Sequence, residues 1–338
     1  MTQPSLHSTF DTSLLDLRND FRTAHSSFST TNSDPSMYNH VIAEEPAQGD
    51  TKPSSQETVK QSKNPQVSAE LASSAQNVQY LPTVDAYNEW AAVYDTDGNM
   101  LQALDDIELE TLLPEFLSNV LSHKPAEQKT IRIVDLGCGT ARNTLKLLSY
   151  PWPSDLRVDV TGIYASDGML QLARNKTDTL LSTLRPDQKK NLTVSFIQCD
   201  CLDPSSTLIL EQLGHADAAI STLVLEHLPL STFFASLRIL LQPGGMALVT
   251  NMHPDMGAKS QAGFVKVVPE TGERVKVRGT SYVHEVEETV ESAMESGFNV
   301  LGSVRERAVD EGVVERLGER GGKWVGVRVW YGMVLRRF

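Results

Sequence analysis

IRIVDLGCGTARN, residues 131–143, is the stretch that decides how this chain folds. Ile131, Ile133 and Val134 read as a buried strand, and Asp135 stands at its carboxyl end. Gly137 and Gly139 then permit a tight turn that side chains would obstruct. From about Thr140 the chain enters a helix, with Leu145, Leu147 and Leu148 to bury. A strand, a glycine turn and a helix form the first unit of a doubly wound α/β fold, which binds ligands at the carboxyl ends of its strands. The dinucleotide pattern G-x-G-x-x-G is broken, because Arg142 occupies its last glycine position.

Working outward, residues 157–164, 192–198, 216–223 and 246–251 read as further strands. Helices are expected over 87–95, 101–121 and 231–241, and a turn at Gln242-Pro243-Gly244-Gly245. Strands alternating with helices imply a mostly parallel sheet. The last third differs: residues 264–268 and 274–277 flank a turn as a hairpin, 283–294 is helical, and a strand opens at Gly297. From Lys323 the chain alternates. Val325, Val327, Val329 and Tyr331 are expected on a fully buried face, and Trp324, Gly326, Arg328 and Trp330 on a partly buried one. Residues 1–78, rich in Ser, Thr, Gln, Asn and Pro, bury too little apolar surface to offset their ordering entropy and are expected to be disordered. Within them Leu14, Leu17 and Phe21 follow helical spacing, a candidate docking motif for a protein partner.

Composition excludes several classes. A net charge of −13 argues against nucleic acid, whose phosphates need clustered Lys and Arg. Cys138, Cys199 and Cys201 supply neither a disulfide framework nor zinc spacing, so no metal is expected and a reducing, cytoplasmic setting fits. No apolar run suits a membrane span or a signal peptide.

The stretch around Asp135-Leu136-Gly137-Cys138-Gly139 resembles the first motif of class I S-adenosylmethionine-dependent methyltransferases, and the resemblance runs from about Tyr87 onward. It implies a Rossmann-like, seven-stranded sheet with an antiparallel C-terminal hairpin in one domain, residues 79–338. About 79–252 would form the cofactor half, and about 253–338 an acceptor-side insert and closing strands. The implied cofactor is S-adenosylmethionine. Asp135, Gly137, Cys138 and Gly139 would approach its methionine part, with Ala141 where relatives often carry a third glycine. Tyr164 stands where the family ends its second strand with a ribose-binding Asp or Glu; Asp167 either reaches the ribose or caps the next helix, and local chemistry favours the cap. Asp200 matches an adenine contact, with Cys201 beside it. Leu223, after Ser221 and Thr222, would line the pocket, and Tyr94 belongs to a lid helix that shares Tyr87 and Trp90.

Methyl transfer depends mainly on orientation, with a base needed when the nucleophile is a hydroxyl. His227, His253 and His284 are the candidate bases or orienting groups. The texture of YDTDGN (94–99) and WVGVRVWYG (324–332) resembles methyltransferases of fungal secondary metabolism. The resulting expectation is methylation of O or N on a small-molecule acceptor. A protein methyltransferase and a non-catalytic scaffold that kept the fold stand as alternatives.

Overall fold

The computed structural model describes residues 77–338. The tail reading, including Leu14, Leu17 and Phe21, therefore lies outside the described residues apart from its last two positions. Among the described residues ten strands follow in order: β1 (Asn77–Tyr80), β2 (Thr130–Leu136), β3 (Arg157–Tyr164), β4 (Leu192–Gln198), β5 (Ala216–Thr222), β6 (Leu241–Met252), β7 (Gly263–Val267), β8 (Arg274–Arg278), β9 (Phe298–Ala308) and β10 (Arg328–Arg337). The helices are α1 (Thr83–Trp90), α2 (Met100–His123), α3 (Arg142–Ser149), α4 (Asp167–Thr183), α5 (Pro186–Lys189), α6 (Ser206–Leu213), α7 (Leu230–Leu240), α8 (Pro254–Gly257), α9 (Val286–Glu295) and α10 (Glu311–Leu317).

Seven strands form the main sheet in the order β4-β3-β2-β5-β6-β10-β9. Its β4-β3-β2-β5-β6 part is parallel, and β10 inserts antiparallel to both neighbours, β6 and β9. Helices cover both faces, which the period-2 pattern of β2 foreshadows. Ile131 and Ile133 join one core with Leu104, Phe116 and Leu117 of α2. Val134 and Leu136 join another with Phe233, Phe234 and Leu237 of α7. Each fully buried side chain of this size contributes roughly 1.5–3 kcal/mol. In β10, Trp330 points into the first core and Tyr331 and Met333 into the second.

Two expectations need correction here. The closing strand begins at Arg328, because residues 319–324 form a 3-10 turn, and Val325 is 48% exposed. Both faces of Val329–Met333 are buried, since β10 lies inside the sheet with helices above and below it. β1, from Asn77, pairs in parallel with β8. β1, β8 and β7 make a separate three-stranded sheet. A third apolar cluster, with Tyr87, Trp90, Met169, Phe264 and Val277, ties that sheet to α1 and α4.

Candidate active site

A cleft of about 280 Å³ opens at the carboxyl ends of the parallel strands. Leu136 and Gly137 at the end of β2, Ile163 and Tyr164 of β3, and Thr222 and Leu223 at the end of β5 line its floor. The glycine turn is built for close approach. The Gly137 and Cys138 N–H groups both donate to the Ile163 carbonyl, at 2.8 and 3.0 Å, which clips the turn onto β3. Gly137 has φ +82°, and a Cβ there would lie 2.1 Å from Val224 Cγ2. Gly139, at φ +56°, faces open space, with nothing within 4 Å of a Cβ. Ala141 and Leu223 also adopt left-handed backbone, at φ +71° and +56°. That explains why glycine suits position 141, and it stores strain at the cleft floor.

The segment YDTDGN anchors the turn from outside. Asp95 accepts a 2.7 Å bond from the Thr140 hydroxyl and pairs with Lys176 at 2.6 Å. Asp97 accepts from Trp90 Nε1 at 2.7 Å and from the Asn99 N–H at 2.9 Å, while Asn99 caps α2. Tyr87 and Tyr94 line the cleft, and Trp90 supports them from behind, stacked on Phe264 at 5.2 Å. Tyr87 also meets Tyr164 edge-on at 5.9 Å. Burial pushes the Tyr87 and Tyr164 phenols well above their ordinary value, so both stay neutral.

At the far end Asp200 lines the cleft; its Oδ1 accepts from the Leu202 N–H at 2.9 Å. Cys199 and Cys201 flank it, and hydrogen bonding with Cys199 lowers the Cys201 thiol. At the near end sits His227, whose Nε2 is 2.8 Å from the Tyr87 hydroxyl and whose Nδ1 is 3.0 Å from the Thr280 carbonyl.

The cleft thus gathers Tyr94, Gly137, Tyr164, Asp200, Cys201, Leu223 and His227 from the expected site residues. Others lie elsewhere. Asp135 is turned beneath the glycine turn, 2% exposed, where it accepts 2.6 Å from the Thr144 hydroxyl. Burial pushes its carboxyl up to about 6 against that hydroxyl's pull. It staples β2 to α3 instead of facing the cavity. Cys138 is buried with its sulfur directed at Gly162. Gly139 forms part of the turn without lining the cavity. Asp167 is the first residue of α4, and Ser166 is the cap, accepting from the Met169 N–H at 3.2 Å.

Two histidines fall away as bases. His253 is 1% exposed; its Nδ1 accepts from the Asp255 N–H and its Nε2 donates 3.0 Å to Glu306 of β9. Pairing of β10 with β6 up to Met252 carries His253 to that side, with its backbone N–H on Val329. His284 is buried against Tyr282, its Nε2 2.9 Å from the Leu228 carbonyl, and does not line the cleft. Sequence reasoning missed Thr280 and the buried acid Glu226, which no local pattern distinguishes from ordinary loop polar residues. Among the described residues no three His, Cys, Asp or Glu groups assemble a metal site.

A family model described as a methyltransferase domain matches residues 133–245. An uncharacterized methyltransferase of Emericella nidulans, AN0656, is 43% identical over 277 residues, covering 77% of this chain and 93% of the relative. The chain belongs to the S-adenosylmethionine-dependent methyltransferases. Solved methyltransferases from Mesorhizobium loti and Methanosarcina mazei align with it at TM-scores of 0.39 and 0.42. They are 20% and 16% identical, cover 65% and 66% of this chain, and are themselves covered over 96% and 97%.

S-adenosylmethionine is the cofactor of this methyltransferase, and the residues present suit it. Gly137 lines the cleft with bare backbone, which allows the close approach that a methionine carboxylate needs. Apolar Leu136, Ile163 and Leu223 suit a purine and a thioether, and Asp200 provides an acceptor at the opposite end. No helix among the described residues is long and apolar enough to cross a membrane.

Proposed function

We propose that this methyltransferase acts on an oxygen or nitrogen of a small, largely apolar acceptor in fungal secondary metabolism, by direct in-line displacement without a metal. The observation that carries this reading is the roof of the cleft. Pro82, Val84 and Tyr87 from the start of α1, with Thr280 after β8, cover the strand ends and leave a cavity of small-molecule size. A protein methyltransferase would need an open trough for a peptide.

The cofactor supplies an electrophilic methyl carbon on sulfur. In this reading the Gly137–Gly139 turn receives the methionine part, Asp200 accepts from the adenine amino group, and Cys201 and Leu223 flank the base. Tyr164 takes the ribose side with a phenol in place of a carboxylate, and Tyr94 closes over the cofactor. α1 and the β1-β8-β7 sheet exclude water. His227 stands at the acceptor side to orient the nucleophile or receive its proton.

Tyr164 favours a second reading, a scaffold that kept the fold and lost the cofactor. Calorimetric titration with S-adenosylmethionine, alongside Tyr164→Asp, separates the two. Micromolar binding by the native protein supports the enzyme. Binding only after the aspartate is introduced supports the scaffold, and no binding by either sinks the cofactor assignment of the cleft.

A further inference from the structure

His227 is held in a defined protonation geometry. A carbonyl only accepts hydrogen bonds, so the 3.0 Å contact with Thr280 O places the proton on Nδ1 of the neutral ring. Nε2 then carries a lone pair, and the Tyr87 hydroxyl at 2.8 Å must donate to it. Tyr87 and His227 both line the cleft. Behind them Glu226 is 5% exposed, with Oε1 3.6 Å from the same Nε2. Its Oε2 has no hydrogen-bond partner among the described residues.

A tyrosine–histidine hydrogen bond alone would be an ordinary strut between α1 and the loop after β5. A buried acid with an unsatisfied oxygen does not belong to a strut, because leaving that atom unpaired costs about 1–3 kcal/mol. The cost falls away when a positive charge arrives next to it. Burial already raises the Glu226 carboxyl, and a cation formed on His227 would lie 3.6 Å from its Oε1.

We propose that Tyr87, His227 and Glu226 form a proton relay that deprotonates a hydroxyl acceptor during methyl transfer, a step that rests on the methyltransferase reading of this cleft. The new O–C bond uses an oxygen lone pair of the acceptor, and the C–S electron pair stays on sulfur as a neutral thioether. The acceptor's proton passes to the Tyr87 oxygen while Tyr87's own proton moves to His227 Nε2. The imidazolium so formed lies between the Thr280 carbonyl and the Glu226 carboxylate. Tyr87 never ionises; it hands on one proton as it takes another. Tyr87 and His227 are catalytic residues in this scheme, and Glu226 is a positioning residue that acts through His227.

The other titratable groups nearby are committed elsewhere or stay neutral. Tyr94 and Tyr164 surround Tyr87, both raised by burial, and Asp97 near it is bonded to Trp90. Asp105 and His284 are near Glu226, the first bonded to Arg142 and the second to the Leu228 carbonyl.

The test is nitrogen NMR of the labelled imidazoles in the full chain, saturated with S-adenosylhomocysteine and titrated with pH. The relay requires the neutral His227 ring in its Nδ1–H form, and in the native chain the Glu226 carboxyl carbon must move at the same midpoint as His227. Glu226→Gln should move the His227 midpoint to lower pH, since the carboxylate beside Nε2 is gone. Tyr87→Phe should free Nε2 to water and shift its nitrogen signal while leaving the tautomer unchanged. An Nε2–H tautomer, or a His227 midpoint indifferent to Glu226, overturns the relay. The native co-titration decides the matter even where a variant fails to fold. Loss of S-adenosylhomocysteine binding would instead overturn the cofactor reading itself, so the two failures are distinct.

Discussion

Asp105 on α2 and Glu226 beside the cleft are both buried carboxylates, yet their surroundings differ in kind. Asp105, fully buried, accepts from Arg142 at 2.6 Å, the Thr250 hydroxyl at 2.6 Å and Trp330 Nε1 at 2.8 Å. Arg142 also bonds Asp106 and Thr222, so α2, α3, β5, β6 and β10 meet at one saturated knot. Around Glu226 an oxygen is left without a partner, and Leu223 nearby holds a left-handed backbone. One region spends its polar groups on stability, and the other keeps some uncommitted for chemistry.

Breaking the saturated side should have the largest effect. Asp105→Ala leaves the Arg142 guanidinium without its principal buried partner, and urea unfolding should show a loss of about 3–5 kcal/mol. A loss below 1 kcal/mol would remove the distinction between the regions.

Asp135 offers an intermediate case, a buried acid with a single side-chain donor, Thr144. Its folded value of about 6 lies above that of the unfolded chain, so the fold disfavours its charged form. The penalty is absent below the unfolded value near 4, grows as pH rises through the folded value, and is complete above it. Asp135→Asn should therefore raise stability by roughly 2–3 kcal/mol at pH 8 and by little at pH 4, as thermal melts at the two pH values would show. A gain equal at both would mean the carboxyl is not strained by burial.

The smallest effect is expected at Glu226. Glu226→Gln removes an acid whose charged form burial also disfavours, so the gain should again appear at high pH and vanish at low pH. About 1 kcal/mol is expected, at the low end for an unsatisfied buried polar atom. A destabilisation at pH 8 would show that the carboxylate is better served than its contacts indicate.

These contrasts also mark where sequence stops informing. The β2 strand, its glycine turn and α3 are written in local chemistry, and β4 falls on the expected residues because alternation and a following polar turn bound it. The hairpin of β7 and β8 was equally local. Nothing local announces β1, four residues whose partner β8 lies about two hundred positions away. His253 looked well placed after its strand, but insertion of β10 beside β6 turned it toward Glu306. Glu226 reads as a solvated loop acid until α1 and the segment at Thr280–Tyr282 close over it, with the Tyr282 N–H bonded to its carbonyl. Gly137 also has a packing role beside Val224. Replacing it with arginine would collide with Val224 and disturb the fold as well as the cleft.

The insertion of β10 has a consequence for how this protein is made. β6 and β9 are separated by a gap that Arg328–Arg337 fills, and these residues emerge from the ribosome after every other described strand. Until then the apolar edge of β6 and the unpaired backbone of β9 stay open to solvent and to other nascent chains. Closure of the main sheet thus waits for β10. A stop within the β10 codons should leave β6 and β9 unjoined.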